Sequence, residues 1–252
     1  MNKNRTVISL ILLGLLLLGM GALSFAKDPP PAPVTPQAKE AALRLKQNAQ
    51  DLALKSHPVE ALRAYRESLK LNPLDAETWL NLGILQEQVG YTKEAEKSLL
   101  QVTRLDPKNT QGWYRLGNAL SAQKKWDKAL KAYQKALEID PKNAPCLLNL
   151  GMAYTVLKKY PQALDFIDQA LKLNPNEAEG WNVKGMVLLE MQKPEEALTC
   201  FEQAAQLNPE SVNAWHYQGV ILQKMGQSLR AHQCLQKEKS LREGREAEGG
   251  TP

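Results

Sequence analysis

The sequence predicts an all-α solenoid of six antiparallel helical hairpins, and three observations carry that prediction. Alanine recurs every 34 residues at Ala61, Ala95, Ala129, Ala163, Ala197 and Ala231 without insertion or deletion. In the same frame Gly83, Gly117, Gly151, Gly185 and Gly219 form a column, and Trp79, Trp113, Trp181 and Trp215 form another that Leu147 completes. Pro73, Pro107, Pro141, Pro175 and Pro209 keep the same period. A fixed period of this size marks supersecondary units that bury a core only against their neighbours.

Composition agrees with a folded chain. Of 252 residues, 43% are hydrophobic and 23% charged, which excludes a wholly disordered polymer and a disulfide-dense miniprotein. The net charge of +5 includes Lys3 and Arg5 in the N-terminal segment. Beyond it, acids and bases alternate along the predicted helix faces without a basic stripe, so no nucleic-acid partner is expected.

Taken in chain order, residues 1–26 read as an export segment. Lys3 and Arg5 precede a Leu-rich run over residues 7–23, and Ser24-Phe25-Ala26 suits cleavage after Ala26. An uncleaved anchor over residues 7–26 is the competing reading, because about 20 residues at ~1.5 Å each cross a hydrocarbon core of about 30 Å. Membrane contact is expected only through that anchor. In either case the basic flank places the rest of the chain outside the cytoplasm, in the periplasm or an equivalent compartment. Residues 27–36 hold Pro29, Pro30, Pro31, Pro33 and Pro36 and are expected to form an extended spacer.

Residues 37–243 are the repeat domain. In the row beginning at Thr110, apolar or small residues Trp113, Leu116, Gly117 and Leu120 recur at three- and four-residue steps, as do Ala129, Tyr133, Ala136 and Leu137. These are two amphipathic helices parted near Lys124-Lys125. Asp140-Pro141 ends the second, since proline lacks an N–H and drives its predecessor out of the α region. The first row has Leu45 and Ala49 in the Trp and Gly columns, and its first helix is expected to start near Gln37. In the last row Glu238 and Glu243 replace Ala and Pro, as suits a solvated end cap. Residues 244–252 are expected to form a disordered tail, with fraying from Ser240.

Trp113, Leu116, Gly117, Ala129, Tyr133, Ala136 and Pro141 resemble the tetratricopeptide repeat in identity and spacing, over about residues 42–243. The resemblance implies a right-handed superhelix that binds protein or peptide along a concave face lined by the first helices. The residues implied for that face are Lys46, Gln47 and Gln50, then Leu80, Asn81, Ile84 and Glu87, then Tyr114, Arg115, Asn118 and Ser121. Leu148, Asn149, Met152 and Thr155 follow, then Asn182, Val183, Met186 and Leu189, and finally His216, Tyr217, Val220 and Gln223. Amides can pair with a peptide backbone and methionines offer adaptable apolar contact. Lys46, Asn81 and Arg115 also fall in columns where some family members clamp a terminal carboxylate, although Gln50 and Gln111 depart from that pattern.

Chemistry motifs are missing from the sequence. Cys146, Cys200 and Cys234 form no Cys-x-x-Cys pair, and His57, His216 and His232 have no spaced set of metal ligands around them. Phosphate-loop and nucleophile-elbow patterns do not occur. The expectation is therefore a noncatalytic protein-binding scaffold without cofactor or metal. A regulatory or assembly subunit of an envelope complex and a self-assembling structural scaffold are the alternatives.

Overall fold

The computed structural model describes residues 34–247, with side chains to Gly244. The candidate export segment and nearly all of the proline spacer lie outside the described residues. Twelve helices and no strands are present among the described residues. The first helices of the six hairpins are α1 (Pro36–Leu54), α3 (Ala76–Gln88), α5 (Thr110–Ala122), α7 (Ala144–Val156), α9 (Ala178–Glu190) and α11 (Val212–Lys224). Their partners are α2 (Pro58–Leu71), α4 (Thr92–Leu105), α6 (Trp126–Ile139), α8 (Tyr160–Leu173), α10 (Pro194–Leu207) and α12 (Ser228–Ala247).

The columns of the sequence become contacts. All six column alanines are buried, five of them at 0% exposure. Each column glycine lies against one large side chain of the second helix. Those neighbours are Leu99, Tyr133, Ile167, Phe201 and Leu235, themselves 34 residues apart. At Gly117 an added β-carbon would sit 2.4 Å from Tyr133 Cε1, far inside the ordinary contact distance of about 3.5–4.0 Å. Close approach, rather than backbone freedom, is the reason for glycine at this position.

The tryptophan and proline columns are bonded to each other. Trp Nε1 donates to the proline carbonyl six residues earlier in all four rows that carry Trp: Trp79 to Pro73 at 2.9 Å, Trp113 to Pro107 at 3.0 Å, Trp181 to Pro175 at 2.9 Å and Trp215 to Pro209 at 2.8 Å. Each bond pins the loop between hairpins to the helix that follows. Asp75, Asn109, Asn143 and Ser211 cap α3, α5, α7 and α11 by accepting backbone N–H groups from the first turn. Glu177 occupies the corresponding place before α9 without making such a bond.

Within each hairpin a left-handed residue closes the first helix. Ser56, Gly90, Lys124, Lys158, Gln192 and Gly226 all have φ between 57° and 81°. The pairing is of Schellman type, with Lys124 N–H to Ser121 O at 2.8 Å and Lys125 N–H to Leu120 O at 2.9 Å. From α3 onward each second helix packs on its own first helix and on the next hairpin's first helix, which makes the solenoid continuous. The first hairpin shares an apolar cluster around Ala49, Ala61 and Tyr65, and Ser68 Oγ donates to the Ala42 carbonyl at 2.7 Å.

Two boundaries differ from the sequence expectation. Pro36 is the first residue of α1 rather than the last of the spacer, because proline's fixed φ suits an N-terminal helical position. At the other end α12 runs to Ala247, so residues 244–247 of the expected tail are helical, and residues 248–252 lie outside the described residues. Its last turns carry the i,i+4 pairs Arg242–Glu238 at 2.9 Å and Lys239–Glu243 at 3.7 Å. Glu238 is not a solvated cap residue. Its side chain is 12% exposed and accepts from both His216 and Arg242.

Candidate functional site: the face of the first helices

Amide and hydroxyl groups join neighbouring first helices at the centre of the solenoid. Asn118 Oδ1 accepts from Tyr133 OH at 2.9 Å and from Asn149 Nδ2 at 2.9 Å. Asn149 Nδ2 also reaches Tyr114 OH at 3.3 Å, and Ser121 Oγ lies 3.1 Å from Tyr133 OH. The buried Tyr133 ring thus does two things: it fills the space opposite Gly117, and its hydroxyl orients Asn118. Burial pushes the Tyr133 phenol well above its ordinary pKa, so the hydroxyl remains a proton donor. Among the described residues, no protein group is bonded to the Asn118 amide N–H groups or to the Asn149 amide oxygen.

Apolar surface adjoins this network. A cavity of about 290 Å³ is lined by Asn118, Trp126, Tyr133, Asn149, Met152 and Val156, among others. A second, of about 300 Å³, lies between α7 and α9 and is lined by Val156, Lys158, Tyr160, Met186, Leu189 and Tyr217, together with Thr155 and Glu190. Met152, Val156 and Met186 are 42%, 52% and 43% exposed. At the other end of the α7/α9 groove, Leu148, Asn149, Leu171, Glu177 and Gly180 help to line a cavity of about 240 Å³. Tyr217 stacks on Phe201 with ring centroids 4.9 Å apart, which fixes the wall it contributes.

Most of the residues expected on this face fall into three groups. Tyr114, Asn118, Asn149, Met152, Met186 and Tyr217 converge on the network and the cavities. Gln50, Leu80, Asn81, Ile84 and His216 are half-buried on their helices and line none of these cavities. Leu148, Val183 and Asn182 are buried. Asn182 Nδ2 donates to Ser211 Oγ at 3.2 Å, so this amide secures the α9/α11 contact instead of facing a ligand. Its Oδ1 is buried without a partner.

The three columns suggestive of a carboxylate clamp are already occupied at two points. Lys46 is buried, with its ammonium 2.9 Å from Glu77 and 3.4 Å from Asp75. Burial alone would lower its pKa, but those carboxylates outweigh burial and hold it raised. Arg115 Nη1 lies 3.5 Å from Glu87 Oε2, and its Nε is buried without a partner. Burial pushes the Glu87 carboxyl up to about 7, with Arg115 only partly opposing the shift.

Trp126, Val156 and Tyr160 were not among the expected face residues. They stand at the last turn of a first helix or the first turn of a second, where a helical-wheel reading of the first helix alone does not look. The cysteines are free and buried. Burial raises the Cys146 thiol to about 12 and Cys200 to about 11, so neither supplies a thiolate nucleophile. No cluster of three or more His, Cys, Asp or Glu suited to a metal ion occurs among the described residues. No helix among them is long and apolar enough to cross a membrane.

Comparison with known proteins places this geometry in a family. Tetratricopeptide repeat models match residues 76–109, 110–143, 144–177, 178–211 and 200–233. No curated protein matches the chain. A tetratricopeptide repeat protein from Parabacteroides merdae superposes with a TM-score of 0.71 at 19% identity, covering 84% of this chain and 81% of its own. For pilF of Pseudomonas aeruginosa the values are 0.68 and 18%, covering 81% and 93%. YrrB, described as a repeat protein of this type with an unusual peptide-binding site, gives 0.56 and 24%, covering 71% and 92%. These likenesses are of fold. The chain belongs to the tetratricopeptide repeat family.

Proposed function

We propose that this protein is a noncatalytic scaffold acting outside the cytoplasmic membrane, where the first-helix face binds an extended segment of a partner protein. The observation that carries this reading is the Tyr114–Asn149–Asn118–Tyr133 network set beside exposed Met152, Val156 and Met186. Oriented amides complement a peptide backbone, and methionines adapt to the side chains it presents. YrrB's peptide-binding description supports the reading by analogy of fold. The extracytoplasmic location rests on the residue pattern of 1–26.

Two measurements test the proposal. Crosslinking in intact cells, followed by purification, should recover a partner with the native chain and lose it with Met152→Asp/Met186→Asp. Equal recovery from both chains would overturn the assignment of the face. Protease added to cells with a permeabilised outer layer should degrade the repeat domain, and protection until the inner membrane is broken would overturn the location.

A further inference from the structure

We propose that the segment taken by this face is acidic: an extended stretch with two apolar side chains three residues apart and carboxylates between or beside them. The inference rests on the reading of this face as a peptide site. The two cavities flanking α7 share Val156 as a common wall. Neighbouring packed helices lie about 8–10 Å apart. A polyproline II segment advances about 3.1 Å per residue with three residues per turn, so side chains at i and i+3 lie on one face about 9 Å apart. One would enter against Trp126 and Met152, the other against Met186 and Tyr217.

The charge comes from the turns inside two hairpins, which the linear sequence does not show as a patch. Lys158 lines the second cavity. Lys159 follows it, with its ammonium 6.0 Å from the Tyr154 ring centroid. Lys124 and Lys125 immediately precede Trp126, which lines the first cavity. Lys125 is engaged by Glu96 at 2.6 Å, whereas Lys124 and Lys158 are exposed and have no ion-pair partner among the described residues. Of the acidic groups nearby, Glu190 lines the second cavity with Lys158 and accepts from Tyr160 OH at 3.3 Å, Asp127 is exposed, and residues 157–162 contain no carboxylate.

Lys124 and Lys158 take equivalent places in their turns. Lys124 and Lys158 have φ of 59° and 57°, the corner that Gly90 and Gly226 occupy in the equivalent turns with φ of 81° and 75°. A side chain is disfavoured in this region relative to glycine. Ser56 and Gln192 hold the same corner in two other turns with φ of 60°, so the turn accepts several side chains. What distinguishes Lys124 and Lys158 is an ammonium without an ion-pair partner among the described residues, placed beside a cavity, which an acidic segment complements.

Calorimetric titration of the repeat-containing chain with the acetylated, amidated peptide Gly-Ser-Phe-Asp-Glu-Leu-Ser-Gly tests the proposal; blocked ends remove any terminal carboxylate. Binding should be at least tenfold tighter than for the same peptide with Lys-Lys in place of Asp-Glu, and the preference should collapse in 0.5 M salt. Replacing Phe and Leu by Ser should abolish binding. Lys124→Gly/Lys158→Gly should retain the fold, because glycine suits both corners, yet lose most of the acidic preference. Equal binding of the acidic and basic peptides, lost in Met152→Asp, would overturn the acidic assignment while leaving the peptide site standing. No binding by any of the peptides, with partner crosslinks mapping away from α7 and α9, would overturn both. Vesicles with anionic headgroups that bind through the same lysines and are not displaced by the acidic peptide would also overturn the proposal. So would concentration-dependent self-association that blocks peptide binding.

Discussion

Replacing Gly117 by alanine should destabilise the solenoid at its centre, even though alanine is the better helix former by about 1 kcal/mol. The new β-carbon would meet Tyr133 Cε1 at 2.4 Å, Cδ1 at 2.5 Å and Cζ at 2.9 Å. Reaching ordinary contact requires the ring to retreat by about 1 Å. The ring is 2% exposed, and its hydroxyl is held at 2.9 Å by Asn118 and at 3.1 Å by Ser121. Overpacking of about 1–3 kcal/mol, plus about 1 kcal/mol from disturbing these bonds, outweighs the gain in propensity. A net loss of about 2 kcal/mol is expected in urea unfolding followed by circular dichroism. At Gly83 the opposing atoms belong to the Leu99 side chain, at 2.8 and 2.9 Å, and a leucine can adjust its rotamer more easily than an anchored tyrosine ring. Gly83→Ala should therefore cost less. A Gly117→Ala variant as stable as the native protein, or one no less stable than Gly83→Ala, would refute the claim that Tyr133 sets the close approach.

Trp113→Phe removes the 3.0 Å bond to the Pro107 carbonyl, and should cost about 0.5–1.5 kcal/mol in urea unfolding. Glu87 binds its proton more tightly folded than unfolded, because its pKa rises to about 7 in the native state. Stability should fall as pH rises from the ordinary carboxylate range to about 7, and Glu87→Gln should flatten that part of a stability–pH profile. Cys146 and Cys200, buried and with raised thiol pKa values, should react with a thiol reagent at pH 8 only after denaturant is added.

Much of the fold was legible because each packing contact repeats at one spacing. Gly117 opposite Tyr133 recurs as Gly185 opposite Phe201, so a constraint written once in space is written several times in sequence. The Trp–Pro bonds and the cap column from Asp75 to Ser211 have the same period, but their meaning depends on direction: an indole N–H or a side-chain oxygen must point back at a particular backbone group. The candidate site was less legible for a related reason. Tyr114 and Asn182 share a column, yet the tyrosine reaches the Asn149 amide while the shorter asparagine is covered and bonds Ser211. Periodicity locates a position at the boundary between neighbouring helices, and side-chain length decides whether it reaches the open face. The lysine corners of α5/α6 and α7/α8 were hidden because residues 34 apart become neighbours only when the hairpins stack.

That the first-helix face holds the partner can be read out by site-specific photocrosslinking in intact cells. A photoreactive side chain at Met152 or Met186 should yield a discrete covalent adduct with a partner protein, whereas one at the exposed Leu100 of α4 should not. Adducts from Leu100 with none from Met152 or Met186 would contradict it.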